Sequence, residues 1–158
     1  MKVRHWCETD TSSVWRLIRD LAAFEENIDL FKLTEAALLE QGFQSSPPDR
    51  YCLVAEENAE IIGILSYVHV PPEGSQPEWM VTDLFVTETT RRQGVGSALM
   101  KCVALEATHA GCPLVRWAVA DDNEAAKRFY KSLGARANPN WVSYGLDSAS
   151  LETLAGQT

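Results

Sequence analysis

Apolar residues recur along the chain with two periods, and each period marks its own kind of element. Val14, Leu17, Ile18, Leu21 and Phe24 follow helical spacing behind Thr9-Asp10-Thr11-Ser12, a run of N-cap residues. They predict a first helix ending near Phe24–Glu25. Thr34 caps a second, with Leu38 and Leu39 as its apolar face and Gly42 as its stop. Tyr51–Ala55 and Ile61–Val70 are apolar runs joined by Glu56-Glu57-Asn58-Ala59-Glu60, the pattern of an antiparallel hairpin. Lys2–Trp6, Trp79–Val86, Leu114–Ala120 and Trp141–Leu146 read as further strands. A third helix starts at Gly94-Val95-Gly96, buries Val95, Leu99, Cys102 and Val103, and stops at Gly111. A fourth follows the caps Asp121-Asp122-Asn123, carries Ala126, Phe129, Tyr130 and Leu133 on one face, and stops at Gly134. Pro47-Pro48 breaks the loop Phe43–Arg50, and Pro71–Pro77 is a second loop. The order β-α-α-β-β-β-α-β-α-β describes one mixed α/β domain over residues 1–147. A polar tail, 148–158, follows it.

Composition narrows the class. A chain of 158 residues suits one domain. Its 46% hydrophobic and 23% charged content excludes a disordered or fibrous chain. The net charge of -8 argues against nucleic acid and anionic membrane as partners, which demand a basic face. It suits a cationic small molecule. Cys7, Cys52, Cys102 and Cys112 form no CxxC pair and read as reduced thiols of a cytoplasmic protein. The N-terminus has no apolar signal core, and the longest apolar run, near Ile61–Leu65, falls far short of the ~20 residues of a membrane span. His5, His69 and His109 have no metal-ligand spacing, so no metal is expected.

The sharpest chemical feature runs from Val86 to Ser97. A strand ends, Arg91 and Arg92 follow, and Gly94 and Gly96 bracket Val95 at a helix start. Glycines let a ligand approach the backbone closely. The first amides of a helix lack intrahelical partners and carry the positive dipole end, so the segment is suited to a pyrophosphate. No GK[ST] follows, which sets it apart from a Walker A loop.

Arg91-x-x-Gly94-x-Gly96 after Val81-Thr82-Asp83-Leu84-Phe85-Val86 resembles the acetyl-CoA signature of the GNAT N-acetyltransferase superfamily. Asn123-Glu124-Ala125-Ala126-Lys127-Arg128-Phe129-Tyr130, with Gly134-Ala135, resembles its Asn…Phe-Tyr…Gly-Ala segment. The stretch Arg16–Glu25, then Leu33-Thr34-Glu35, Gln41-Gly42-Phe43 and Tyr51–Glu56, is similar to the spermidine/spermine (diamine) and thialysine acetyltransferases. The resemblance spans Val3 to about Leu146. It implies a GNAT-type mixed central sheet flanked by helices, with acetyl-CoA lying where two parallel strands splay apart.

The same resemblance assigns roles. The main chain of Leu84, Phe85 and Val86 would hold the pantetheine arm. Arg91, Arg92, Gln93, Gly94, Val95, Gly96 and Ser97 would hold the pyrophosphate, and Asn123, Ala126 and Tyr130 would contact the cofactor from the next helix. Acetyl transfer to an amine needs the ammonium, with a pKa near ~10.4, to lose a proton, and the thiolate, of parent pKa ~8.5, to gain one. Tyr130 is the implied proton donor to sulfur. Glu25, Thr82 and Asp83 would line the amine site. Diamine acetyltransferases carry Glu-Asp where this chain has Thr82-Asp83, so the base is either Asp83 or ordered water. A homodimer is implied as well.

The expected activity is acetyl transfer from acetyl-CoA to a primary amine of a small cationic acceptor, a polyamine, thialysine or lysine-like molecule, by direct attack in a ternary complex. Three rivals stay open: the same enzyme acting on an aminoglycoside, amino acid or protein amine; a module that senses acetyl-CoA without catalysis; and a plain nucleotide-binding α/β protein.

Overall fold

The computed structural model describes residues 1–72 and 76–156. The middle of the expected Pro71–Pro77 loop and the last two residues of the tail lie outside the described residues. The chain divides into two compact units, Met1–Ala118 and the part from Val119 onward.

The first unit is built on a five-stranded sheet in the order β1-β2-β3-β4-β5. Its strands are β1 (Lys2–His5), β2 (Tyr51–Glu57), β3 (Glu60–Val70), β4 (Glu78–Val86) and β5 (Leu114–Arg116). The first four pair antiparallel, and β4 pairs with β5 in parallel. The β2–β3 hairpin turns at Asn58 and Ala59, with φ of 51° and 64°. Two left-handed residues in a two-residue turn match the right-handed twist of the flanking strands.

Side chains alternate across a strand, so the sheet has two faces. One face takes α1 (Thr11–Phe24) and α2 (Glu35–Leu39). Trp6, Val14, Leu17, Ile18, Leu38, Cys52, Val54 and Ile64 form its core, with Phe85 packed against them. The other face takes α3 (Val95–His109), where Leu53, Leu65, Val95, Leu99 and Val103 are buried.

Gly63 lies on the α3 face. A Cβ there would stand 2.9 Å from Val95 Cγ1 and 3.3 Å from both Leu99 Cδ1 and the Phe85 carbonyl oxygen. The missing side chain therefore lets the start of α3 sit against the sheet. Gly42, expected as the stop of α2, has a different role. The helix runs on through a π turn, Glu40–Gln44, and a Cβ on Gly42 would overlap the Trp6 indole at 2.1 Å. It is a contact glycine inside the turn.

The second unit holds α4 (Glu124–Ser132) and α5 (Ser148–Ala155). Asn123 caps α4 through Oδ1, which accepts from the Ala126 amide at 3.1 Å, and Asp147 caps α5. Thus most of the expected polar tail is a short helix. The expected strand Trp141–Leu146 does not form: among the described residues the segment joins no ladder, and Trp141, Val142 and Tyr144 are 81%, 73% and 94% exposed. Its apolar pattern is strand-like, but a strand exists only where a neighbour satisfies its backbone. The expected strand Leu114–Ala120 is likewise shorter. It ends at Arg116 because its ladder with β4 ends there, and its residues are exposed or half-buried rather than buried.

Candidate active site

The sheet opens along β4. Its pairing with β5 covers only Glu78↔Leu114, Trp79↔Val115 and Met80↔Arg116. Beyond Met80 the strand continues to Val86, and no described strand lies on that side. Leu84, Phe85 and Val86, the expected pantetheine residues, stand on this open edge. The Val86 carbonyl accepts from Arg91 Nε at 3.1 Å.

The strand leads through a short 3-10 turn, Glu88–Thr90, to α3. Arg92 and Gly94 both have positive φ, 61° and 83°. Gly94 is the N-cap residue of α3, and no side chain caps the helix. Ordinarily an N-cap side chain accepts one of the first amide hydrogens. Here the amides at Val95, Gly96 and Ser97 have no such acceptor, which leaves them as donors at the positive end of the helix dipole. Gln93 is tied back to the Thr89 carbonyl.

Arg91 departs from the simplest phosphate picture. Its guanidinium lies 4.9 Å from the Phe24 ring centre and 5.4 Å from that of Phe85. It thereby clips the end of α1 to the end of β4. Asp20, Phe24, Phe85, Thr87, Glu88 and Arg91 line a hollow of about 410 Å³ at this junction.

Glu25 and Asp83 are near enough for their charges to interact. Asp83 is on the α1 face of β4, opposite Ser66 in β3. The register shifts between Ser66 and Tyr67, so Thr82 is an extra residue, a β-bulge, and it is exposed. Bulges re-aim neighbouring side chains. Asp83 Oδ2 accepts from Arg50 Nη1 and from Thr82 Oγ1, each at 2.8 Å. Glu25 follows the last residue of α1. Burial, and then the charge of Asp83, push its carboxyl above the usual range. That coupling is the mark of two carboxylates sharing a neighbourhood.

Asn123 and Ala126, expected to act together on the cofactor, bond each other at the start of α4. Tyr130 is half-buried on α4, its ring centre 5.2 Å from that of Phe129. His69 is stacked between Tyr51 at 4.2 Å and Trp79 at 4.5 Å, and burial lowers its proton affinity. It lines a separate hollow of about 560 Å³ with Pro47, Pro48, Asp49, Pro72 and Glu78, and neither Glu25 nor Asp83 is among its described lining residues. No group of three or more His, Cys, Asp or Glu side chains suited to a metal occurs among the described residues.

The sequence model of the acetyltransferase (GNAT) family matches residues 13–135. The chain belongs to this family. It is an acetyl-CoA-dependent N-acetyltransferase. The chain is 31% identical to thialysine N-epsilon-acetyltransferase of Mus musculus, over 99% of this chain and 98% of that protein. It is 30% identical to spermidine/spermine N(1)-acetyltransferase-like protein 1 of Homo sapiens, over 85% of this chain and 20% of that protein. Among solved structures, an aminoglycoside acetyltransferase from an uncultured soil metagenomic sample superposes with a TM-score of 0.76 at 24% identity, covering 92% of this chain and 96% of that one. That likeness is one of fold.

Two residues of this candidate site have no conspicuous sequence signal. Arg50 ends a proline-broken loop, and its partner Asp83 is 33 positions away. Phe24 reads simply as the last apolar residue of a helix. Gly63 did carry a usable cue, since an isolated glycine within a strand signals a close approach.

Proposed function

We propose that the protein transfers the acetyl group of acetyl-CoA to a primary amine of a small cationic acceptor, thialysine-like, lysine-like or a polyamine, by direct attack in a ternary complex. One observation carries the reading: Asp83 stands on β4, whose open edge leads into the uncapped helix, and Glu25 at the end of α1 is near enough to feel its charge. Carboxylates recognise an ammonium by charge-assisted hydrogen bonds. One relative is named a thialysine acetyltransferase and another is named for its likeness to a spermidine/spermine acetyltransferase, which supports the same class of acceptor here.

In this reading the backbone of Leu84–Val86 holds the pantetheine arm by strand-like hydrogen bonds. The amides of Arg92–Ser97 hold the pyrophosphate, and Asn123 and Ala126 add contacts from α4. Arg91 fixes the loop through Phe24 and Phe85. Glu25, Thr82 and Asp83 receive the amine. The amine nitrogen attacks the thioester carbonyl, the C–S bond breaks, and Tyr130 gives a proton to the departing sulfur. A phenol stays protonated at neutral pH under ordinary conditions, as a donor must. The exposed Trp141, Val142 and Tyr144 support a homodimer that covers them. Four unpaired cysteines support a reducing, cytoplasmic setting.

The test is CoA release from acetyl-CoA with spermidine, putrescine, thialysine, lysine, an aminoglycoside and a lysine-containing peptide. Turnover of a small di- or polyamine or a lysine-like amine, reduced in Tyr130→Phe, is expected. Turnover of the aminoglycoside or peptide alone would move the acceptor class. Tight acetyl-CoA binding with no turnover of any amine would favour a sensing module.

A further inference from the structure

We propose that Glu25 takes the proton from the acceptor ammonium, and that Arg50 is the positioning residue that reserves Glu25, rather than Asp83, for this task. The inference rests on the acceptor-amine reading above and deepens it.

Arg50 ties β4 to the turn that follows α2. Its Nη1 donates to Asp83 Oδ2 at 2.8 Å, and the two side chains are only 17% and 15% exposed. Its Nε donates to Gln41 Oε1 at 2.9 Å, and its backbone amide donates to the Gln41 carbonyl at 3.1 Å. Gln41 belongs to the π turn after α2, and its carbonyl also accepts from the Asp49 amide at 2.9 Å. The guanidinium is thus held from behind and aimed at β4. Thr82, the bulge residue, adds a second donor to the same oxygen of Asp83. Asp83 is a carboxylate with a built-in cation.

Glu25 is different. Its side chain makes no hydrogen bond or ion pair among the described residues. It closes α1 next to Phe24, whose ring Arg91 clips to Phe85, so α1 and β4 hold it near Asp83. The charged groups around this end are Asp83 from β4 with Arg50 behind it, and Asp20, Glu88 and Arg91 around the Phe24 hollow. Burial and Asp83 both favour its protonated form. A base works best when its pKa approaches the working pH.

The step balances simply. One ammonium proton passes to the Glu25 carboxylate and from there to solvent. The neutral nitrogen forms the C–N bond as the C–S bond breaks. The second proton lost by nitrogen balances the proton gained by the thiolate.

The experiment compares pH profiles of kcat/KM for wild type, Glu25→Gln, Asp83→Asn, Arg50→Gln and Arg50→Lys, with a 13C titration of the Glu25 carboxyl in each variant that retains it. Glu25→Gln is expected to lose about 10²-fold or more in kcat and the rising limb of the profile, with acetyl-CoA affinity retained as the check on folding. Arg50→Gln leaves the Asp83 charge uncompensated, so the limb and the Glu25 titration move to higher pH. Arg50→Lys holds them near wild type, and Asp83→Asn moves them to lower pH. A merely structural Arg50 would scale activity at every pH without moving the limb, and that result overturns the proposal. So does a limb kept in Glu25→Gln and lost in Asp83→Asn. If wild type turns over no amine, the acceptor reading fails on its own. The titration still decides this proposal: a Glu25 carboxyl in or below the ordinary range, or unmoved by Arg50→Gln, overturns it.

Discussion

Single side chains set the chemistry, and three of them make separable predictions. Tyr130→Phe keeps the ring and removes the hydroxyl proposed as the proton donor. It is expected to lower kcat by about 10²–10⁴-fold while acetyl-CoA binding, measured by calorimetry, holds. Asp10 concerns stability instead. Arg4 donates to both of its oxygens, at 2.7 Å and 3.1 Å, and the Cys7 amide adds a third bond. These hold its carboxyl at about 2, below the ordinary 3.8, against the opposing effect of burial. A lowered folded-state pKa means the stabilisation is full above the unfolded value and fades as pH falls through the folded one. Denaturation free energy should therefore drop by on the order of 2 kcal/mol between about pH 5 and about pH 2 through this group, and Asp10→Asn should remove that part of the slope. Gly63→Ala places a methyl against Val95, Leu99 and the Phe85 carbonyl. A cost of about 1–3 kcal/mol is expected, with weaker acetyl-CoA binding because the start of α3 must shift. Thermal unfolding and calorimetry on the same sample check both effects.

Elements place these side chains, and here the sequence was legible in part. The helical stripe Val14–Leu21 and the β2–β3 hairpin follow from local period alone, and both form where the pattern puts them. The two-glycine start of α3 was visible for the same reason: strand end, turn and cap residue are adjacent in the chain. Non-local features were not. The strand-like pattern of Trp141–Leu146 says nothing about whether a ladder partner exists, and none is formed among the described residues. The Thr82 bulge depends on how β3 and β4 are registered, and register is a property of two strands. Arg50 meets Asp83 only once β4 has formed beside the loop that ends at β2. The acidic side of the candidate site could be named from resemblance, but its cation could not. Gly42 shows the same limit: its identity answers to Trp6, 36 positions before it, rather than to a helix end. Gly42→Ala should therefore destabilise the fold more than Gly94→Ala, whose added methyl would meet nothing within 4 Å and would cost only about 1 kcal/mol of backbone strain. Urea denaturation of the pair checks the order.

For the whole molecule, the charge of -8 and the carboxylates Glu25 and Asp83 suit the proposed cationic acceptor, and family membership supplies the donor. The exposed apolar segment Trp141–Leu146 carries the proposed homodimer. Light scattering is expected to give twice the chain mass, falling to one chain in Trp141→Ser/Tyr144→Ser. Acetyl transfer itself is tested most directly by a mass balance. Protein, acetyl-CoA and a limiting small amine are mixed, and free CoA and N-acetylated amine are quantified together over time. The account predicts that the two rise one for one and stop when the amine is exhausted. CoA released without acetylated amine, or at a rate indifferent to the amine, would contradict it.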